Sequence, residues 1–334
     1  MSRVPDTRQL VLTHGVLLVL LAGAVVAAFA LGQVDLEPAG RGVRELILSL
    51  RGARMCGAFL AGAALATGGV VVQGLFRNPL ASPSILGTTA GASFGGQLAL
   101  VLSQLAGLTV STPELLLPFG SLAGALASLL LLLLFVRQSA DRLTLVLVGF
   151  ILGSLFLSLG GLMTSIAQER WELGRAVVAF ALGSLGGVGV RQVLFALPLV
   201  LTAFVAAMLW ARPLDLLLSG EREARSLGVD VQRVRRWCVV WVSVLVAGAV
   251  SLAGSIAFVG LVAPHALRPF VGESHRRLLP AAALAGGTFV IACDVIARSL
   301  PGRGEVPLGV VTGLIGAPVF LVLLLRGRRR AFDG

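Results

Sequence analysis

The chain of 334 residues contains no tyrosine and no lysine; all of its basic side chains are arginine. Without lysine there is no GxxxxGK[ST] phosphate loop, so P-loop nucleotide hydrolysis is excluded on this polypeptide. Charge is scarce as well: 13% of residues are charged, against about a quarter in an average soluble domain. Cysteine is limited to Cys56, Cys238 and Cys293, each inside an apolar run with no CxxC and no paired spacing. That excludes a disulfide scaffold, and the three read as small buried hydrophobes. Histidine occurs only at the scattered positions His14, His265 and His275, so no metal-ligand cluster is formed. No Ser/His/Asp, Cys/His or paired-carboxylate constellation falls at a common depth, which argues against a membrane-embedded enzyme.

What the chain has in quantity is apolar surface. The AVILMFWYC set makes up 57% of it, and the mean hydropathy is +0.95. A soluble fold of this composition would expose large apolar patches. The reading is an all-α polytopic membrane protein. A crossing helix needs about 20 mostly apolar residues. Ten candidate spans are read over roughly 10–31, 52–75, 86–107, 115–136, 143–167, 191–211, 237–252, 255–269, 278–298 and 306–325. The stretch 176–185 is too brief and reads as interfacial or re-entrant. The first run resembles a signal peptide, but its core of roughly 22 residues exceeds the usual h-region, so it reads as a retained helix.

The region 237–269 decides the parity. As one span it would put Arg276, Arg277 and the Arg326–Arg330 cluster on the side opposite Arg222–Arg236. The positive-inside bias opposes that. A break near Gly254 and Ser255 gives ten spans with both termini cytoplasmic. The cytoplasmic side then holds 18 arginines against 8 acids and the outer side 9 against 8, which recovers the net charge of +11. The arginines lie between apolar runs, so this charge reports membrane topology rather than nucleic-acid binding. A weak self-similarity at an offset of 186 pairs Gly62, Gly68 and Gly74 with Gly248, Gly254 and Gly260, the pattern of duplicated halves.

Four features carry mechanism. Small residues allow close helix approach in lipid; Gly57, Ala61, Gly62, Gly68 and Gly69 mark one such face, and Gly91, Gly95 and Gly96 another. The loop Gln73–Gly87 holds Pro79 and Pro83, which stop the second span, and Ser84, a candidate cap for the third. The segment 212–229 reads as two short amphipathic helices hinged at Gly220 and ended at Gly228, with leucines on one face and charges on the other. It is either a solvated loop or a docking element for a soluble partner. On the outer side, Arg51 and Arg54 share a helix face, and Arg298 and Arg303 follow span nine; Asp294 and Arg298 are four apart and able to pair. These arginines either snorkel to headgroups or dock an acidic partner.

Taken together, these stretches resemble the FecCD/BtuC-like permeases of ATP-binding-cassette (ABC) importers. The matching residues are Gln73, Phe76-Arg77-Asn78-Pro79-Leu80-Ala81-Ser82-Pro83, Leu86-Gly87 and Gly91-Ala92; then Glu221, Glu223-Ala224-Arg225-Ser226-Leu227-Gly228-Val229, Gly254, and Phe258-Val259-Gly260-Leu261-Val262-Ala263-Pro264-His265 with Arg268; then Ala292, Asp294, Arg298, Glu305–Thr312 and Gly316–Phe320. They run in order over about 45–325. The resemblance implies a type II importer permease fold, a single permease domain over 1–334 in the bacterial inner membrane, and a homodimer around a central path. It implies two cytoplasmic ATPase subunits, which hold ATP and Mg, and a periplasmic or lipid-anchored binding protein; this chain holds no cofactor and no metal. By the same resemblance 212–229 is the ATPase-coupling element, through Leu214, Leu217, Ser219, Gly220, Glu221, Ala224, Arg225, Leu227 and Gly228. Arg51, Arg54, Arg298 and Arg303 match the binding-protein contacts. Asn78 and Leu80 match one cytoplasmic gate, and Ser139 and Ala140 fall at the other, where Ala140 and Asp141 depart from the usual hydroxyl pair.

The implied function is ATP-driven import of an iron chelate, siderophore or haem, with cobalamin or molybdate as alternatives. An ion-driven secondary transporter is the competing class. It calls for ionisable groups near mid-membrane, and Asp294, near a span end, is the main one in the spans.

Overall fold

A computed structural model of the chain describes residues 6–31, 41–105, 115–135, 142–300 and 305–332. Among these, thirteen α-helices and one 3-10 turn account for the regular structure, with no strand. They are α1 (Thr7–Ala30), α2 (Arg41–Phe76), the 3-10 turn Pro83–Leu86, α3 (Thr88–Leu105), α4 (Leu116–Phe135), α5 (Arg142–Ala167), α6 (Trp171–Ala181), α7 (Val190–Leu209), α8 (Ala211–Ser219), α9 (Glu221–Ser226), α10 (Val231–Ala253), α11 (Val259–Val271), α12 (His275–Ser299) and α13 (Leu308–Phe332).

Eight helices, α1, α2, α4, α5, α7, α10, α12 and α13, are long and apolar enough to cross a bilayer. The other two sequence-derived spans correspond to α3, whose 18 residues reach about 27 Å, and α11, whose 13 reach only about 20 Å. α2 and α10 form the centre: 78% and 72% of their apolar windows are buried, against 6% for α1. α2 packs along α12, α10 and α11, while α3 packs on α4 and α5. Leucines and valines of α1, α5 and α13 face outward, as a lipid-facing surface requires. Cys238 and Cys293 are buried, but Cys56 lies on the exposed side of α2, contrary to the expectation for it.

Glycine sets how closely the central helices approach. A Cβ at Gly62 would overlap the Gly286 carbonyl and stand 2.9 Å from the Gly287 Cα, so α2 and α12 meet backbone to backbone. The expected break between α10 and α11 is present. Gly254 has φ +65° and follows the last residue of α10, a conformation that side chains disfavour. Here non-helical backbone lies inside the bundle against the irregular segment after α6: Ser184 N–H donates to Ala253 O (2.9 Å) and Ser255 N–H to Phe180 O (3.4 Å), while that segment's own carbonyls, Gly183 O and Leu182 O, accept from Leu308 N–H (2.8 Å) and Gly309 N–H (3.0 Å). Such backbone is tolerated within a membrane only when protein groups pair it. The offset-186 repeat therefore maps the unbroken helix α2 onto the broken pair α10–α11.

Two boundaries differ from expectation. The short helix α6 starts at Trp171, earlier than the 176–185 stretch, because its polar first turn carries little hydropathy. Ser84 does not cap α3; it lies in the 3-10 turn, and Gly87 at φ +75° leads into the helix instead.

Candidate functional site

The pair α8–α9 forms as the sequence indicated, hinged at Gly220 (φ +141°) and followed by Gly228 (φ +83°). Its orientation was not foreseen. Leu214, Leu217 and Ala224 are buried in the protein's own core. The apolar face fastens the pair to the bundle, and the outward surface includes Arg212, Ser219, Arg222, Glu223, Arg225 and Leu227, the last 63% exposed.

Two polar links complete the fastening. Glu221 pairs with the buried Arg235 of α10 at 2.9 Å. Asp215 bonds to the start of α12: its Oδ1 accepts from the His275 backbone N–H (2.7 Å) and faces His275 Nδ1 at 2.6 Å, while Oδ2 accepts from the Ser274 hydroxyl (3.1 Å). Burial alone would raise the Asp215 carboxyl, but the hydrogen bonds from His275 and Ser274 outweigh it and hold the group below the usual carboxylate range.

At the same end, α2 stops at Phe76 and the loop that carries Asn78 and Leu80 begins. Arg77 takes φ +51°. Asn78 N–H donates to Gln73 O (3.1 Å), and its side-chain oxygen accepts from Leu80 N–H (2.9 Å). Asn78 and Leu80 are exposed at the rim. Gln73 Oε1 accepts from Arg268 Nη2 at 2.8 Å, tying the last turn of α2 to α11. Ser139 and Ala140 lie outside the described residues.

A groove of about 490 Å³ runs between α3 and α5, with Ser255 and Ala181 at its margin. Its polar lining is Ser84, Thr89, Ser93, Gln97, Ser154 and Thr164, and no lining residue is ionisable. Such a wall offers neutral hydrogen bonds and no fixed charge to hold a solute tightly.

Arg54 lies about 28 Å from Gln73 along α2, at the opposite end of the bundle. There the arginines are engaged internally. Arg54 Nε and Nη2 donate to Asp294 (2.8–3.2 Å), and Nη1 and Nη2 donate to Glu305 (both 2.8 Å). Arg51 donates to Phe29 O at 2.6 Å and Arg298 to Ala28 O at 2.9 Å, so both satisfy carbonyls in the last turn of α1. The foreseen Asp294–Arg298 pair exists at 3.4 Å, but Asp294 bonds more closely to Arg54. The sequence carried no signal for Arg54–Glu305, whose members are 251 apart. Arg303 lies outside the described residues.

A sequence model of the FecCD transport family matches residues 11–326. The chain belongs to that family. It is 39% identical over 289 residues to the molybdate import permease MolB of Haemophilus influenzae, covering 86% of this chain and 82% of the relative. It is 36% identical over 317 residues to the Fe(3+) dicitrate permease FecD of Escherichia coli, covering 92% and 96%. It is 39% identical over 265 residues to the cobalamin permease BtuC of Halobacterium salinarum, covering 79% and 69%. A solved structure described as an inward-facing metal-chelate type ABC transporter superposes with TM-score 0.83 at 34% identity, covering 94% of this chain and 99% of that one. This FecCD-family chain is a multi-pass permease of an ABC importer with the type II fold.

Proposed function

We propose that two copies of this permease form the path of an ATP-driven importer for an iron chelate, a siderophore or haem, with cobalamin or molybdate as the alternative cargo. Each chain acts as one permease domain over 1–334 in the bacterial cytoplasmic membrane, with both termini cytoplasmic. The groove between α3 and α5 carries the reading: a bulky chelate needs a wide, mostly apolar wall with a few neutral hydrogen-bonding groups and no fixed charge, which releases it. Two of the relatives are permeases for bulky metal complexes, ferric dicitrate and cobalamin.

Two ATPase subunits, which hold ATP and Mg, dock on the outward face of α8–α9. The bracing of that pair to α10 and α12 supports this, because a push on it is passed to the spans. Closure at Asn78 and Leu80, and at a second gate of Ser139 and Ala140, then gates the path. A periplasmic or lipid-anchored binding protein docks at the other end, near Arg51, Arg54, Arg298 and Arg303. Each guanidinium has five N–H donors, so a docking carboxylate shares donors with the internal partners.

The test is uptake into proteoliposomes holding the permease and its cognate ATPase. Accumulation of ferric chelate is expected only with ATP and both components. Uptake without the ATPase that follows a proton gradient would overturn the proposal. Leu227→Asp combined with Arg225→Glu is expected to abolish co-purification of the ATPase; retained co-purification would remove the docking assignment.

A further inference from the structure

The link between α8 and α12 extends further than a cap. His275 is fully buried. An ionised carboxylate can only accept, so Nδ1 carries the proton that bonds Asp215. The other ring nitrogen, Nε2, is buried with no hydrogen-bond partner. It abuts Gly74: a Cβ there would overlap Nε2 and stand 2.8 Å from Cε1. The ring cannot easily turn away, because Asp215 holds Nδ1 from the other side. A buried polar atom without a partner calls for a reason, and this one lies on the only residue type that lets the ring approach.

Gly74 belongs to the last turn of α2. Its carbonyl accepts from Arg77 N–H at 3.2 Å, and the neighbouring Gln73 carbonyl accepts from Asn78 N–H. One rigid path therefore runs from α8 through Asp215, the His275 ring and Gly74 to Asn78 and Leu80. Each step is a hydrogen bond, a close contact or a peptide link.

We infer that Asp215, His275 and Gly74 form the transmission element that moves the gate loop when the α8–α9 pair is displaced, with His275 as the positioning residue at its centre. The inference rests on the reading of α8–α9 as the ATPase dock. When the pair is drawn inward, Asp215 carries the imidazole with it, and the ring bears on α2 one turn before the gate. The His275 ring spans two jobs that shorter amides split. Asn at this position reproduces the Nδ1 donor without reaching Gly74, and Gln reaches towards Gly74 without the Asp215 bond.

The experiment measures chelate transported per ATP hydrolysed in reconstituted permease–ATPase complexes bearing His275→Asn, His275→Gln or Gly74→Ala, at matched amounts of assembled complex. The expected result is retained ATPase assembly with a loss of at least about five-fold in the ratio, the lower end of coupling between linked sites. In the same complexes, the ATP-dependent change in labelling of Leu80→Cys, on a background without Cys56, is expected to vanish. A merely structural role would lower the yield of complex and leave both readouts intact in what assembles. An unchanged ratio in the assembled Asn and Gln variants overturns the inference. Should Gly74→Ala fail to assemble, these two carry the test, since they keep a polar side chain of similar size. The dock itself is judged separately by co-purification with Leu227→Asp and Arg225→Glu, so failure of that reading is distinguishable.

Discussion

Replacing Arg54 by alanine separates two accounts of the arginine-rich end. Arg54 is only 16% exposed and holds Asp294, itself 4% exposed, through a forked contact, with Glu305 on its remaining donors. Removing one member of a buried ion pair strands its partner at a cost of about 3–5 kcal/mol. The lower end applies, because Asp294 keeps Arg298 at 3.4 Å. The partly exposed Glu305 adds less than about 1 kcal/mol. The expected loss is about 3 kcal/mol. At about 2–4 °C per kcal/mol for large domains, the thermal midpoint in detergent is expected to fall by about 6–12 °C. Arg54→Lys keeps the charge without the fork and is expected to lose roughly half as much. Arg54→Ala with Asp294→Ala is expected to recover part of the loss, since the buried Asp294 carboxylate is then no longer stranded. A midpoint unchanged in Arg54→Ala, with weakened binding-protein affinity, would refute the clamp and leave Arg54 as a docking residue alone.

The hydrogen bond from Arg54, with burial opposing it, holds the Glu305 carboxyl below its usual range. A depressed folded value means stabilisation that is full above the unfolded pKa, about 4.3, and lost as pH falls through the folded one. The midpoint difference between the natural chain and Glu305→Gln, read by thermal unfolding, is expected to be largest above about pH 5 and to shrink as the pH falls below the unfolded value. A difference independent of pH would contradict it. Gly62→Val places side-chain atoms on the Gly286 backbone and is expected to prevent recovery of a monodisperse protein by size-exclusion chromatography, since backbone cannot yield as a side chain does. Leu217→Asp puts a carboxylate in the core and is expected to abolish folded protein rather than produce a folded, uncoupled permease; normal yield would show that Leu217 faces outward.

Much of the architecture was legible because lipid imposes a simple rule. Apolar runs long enough to cross it must be helices, and the ten inferred spans agree with the helices over most of their length. The short pair after α7 was legible too, since Gly220 and Gly228 bound two amphipathic stretches. Its direction was not. Amphipathicity tells which side of a helix is apolar, and outside the bilayer that side serves equally to dock a partner or to fasten the helix to its own chain. Leu214 and Leu217 do the second.

The amino-acid order alone therefore determined the membrane class, the spans, the glycine-lined helix contacts, the broken α10–α11 segment and the family motifs, because each is written in neighbouring residues. Only the folded chain decided that Arg54 is shared by Asp294 and Glu305, that Arg51 and Arg298 close the end of α1, and that His275 stands between Asp215 and Gly74. Those partners are tens to hundreds of residues apart. Pairings at such separations leave no periodicity to read; they arise from the packing of whole helices, which brings the few buried polar groups within reach of one another.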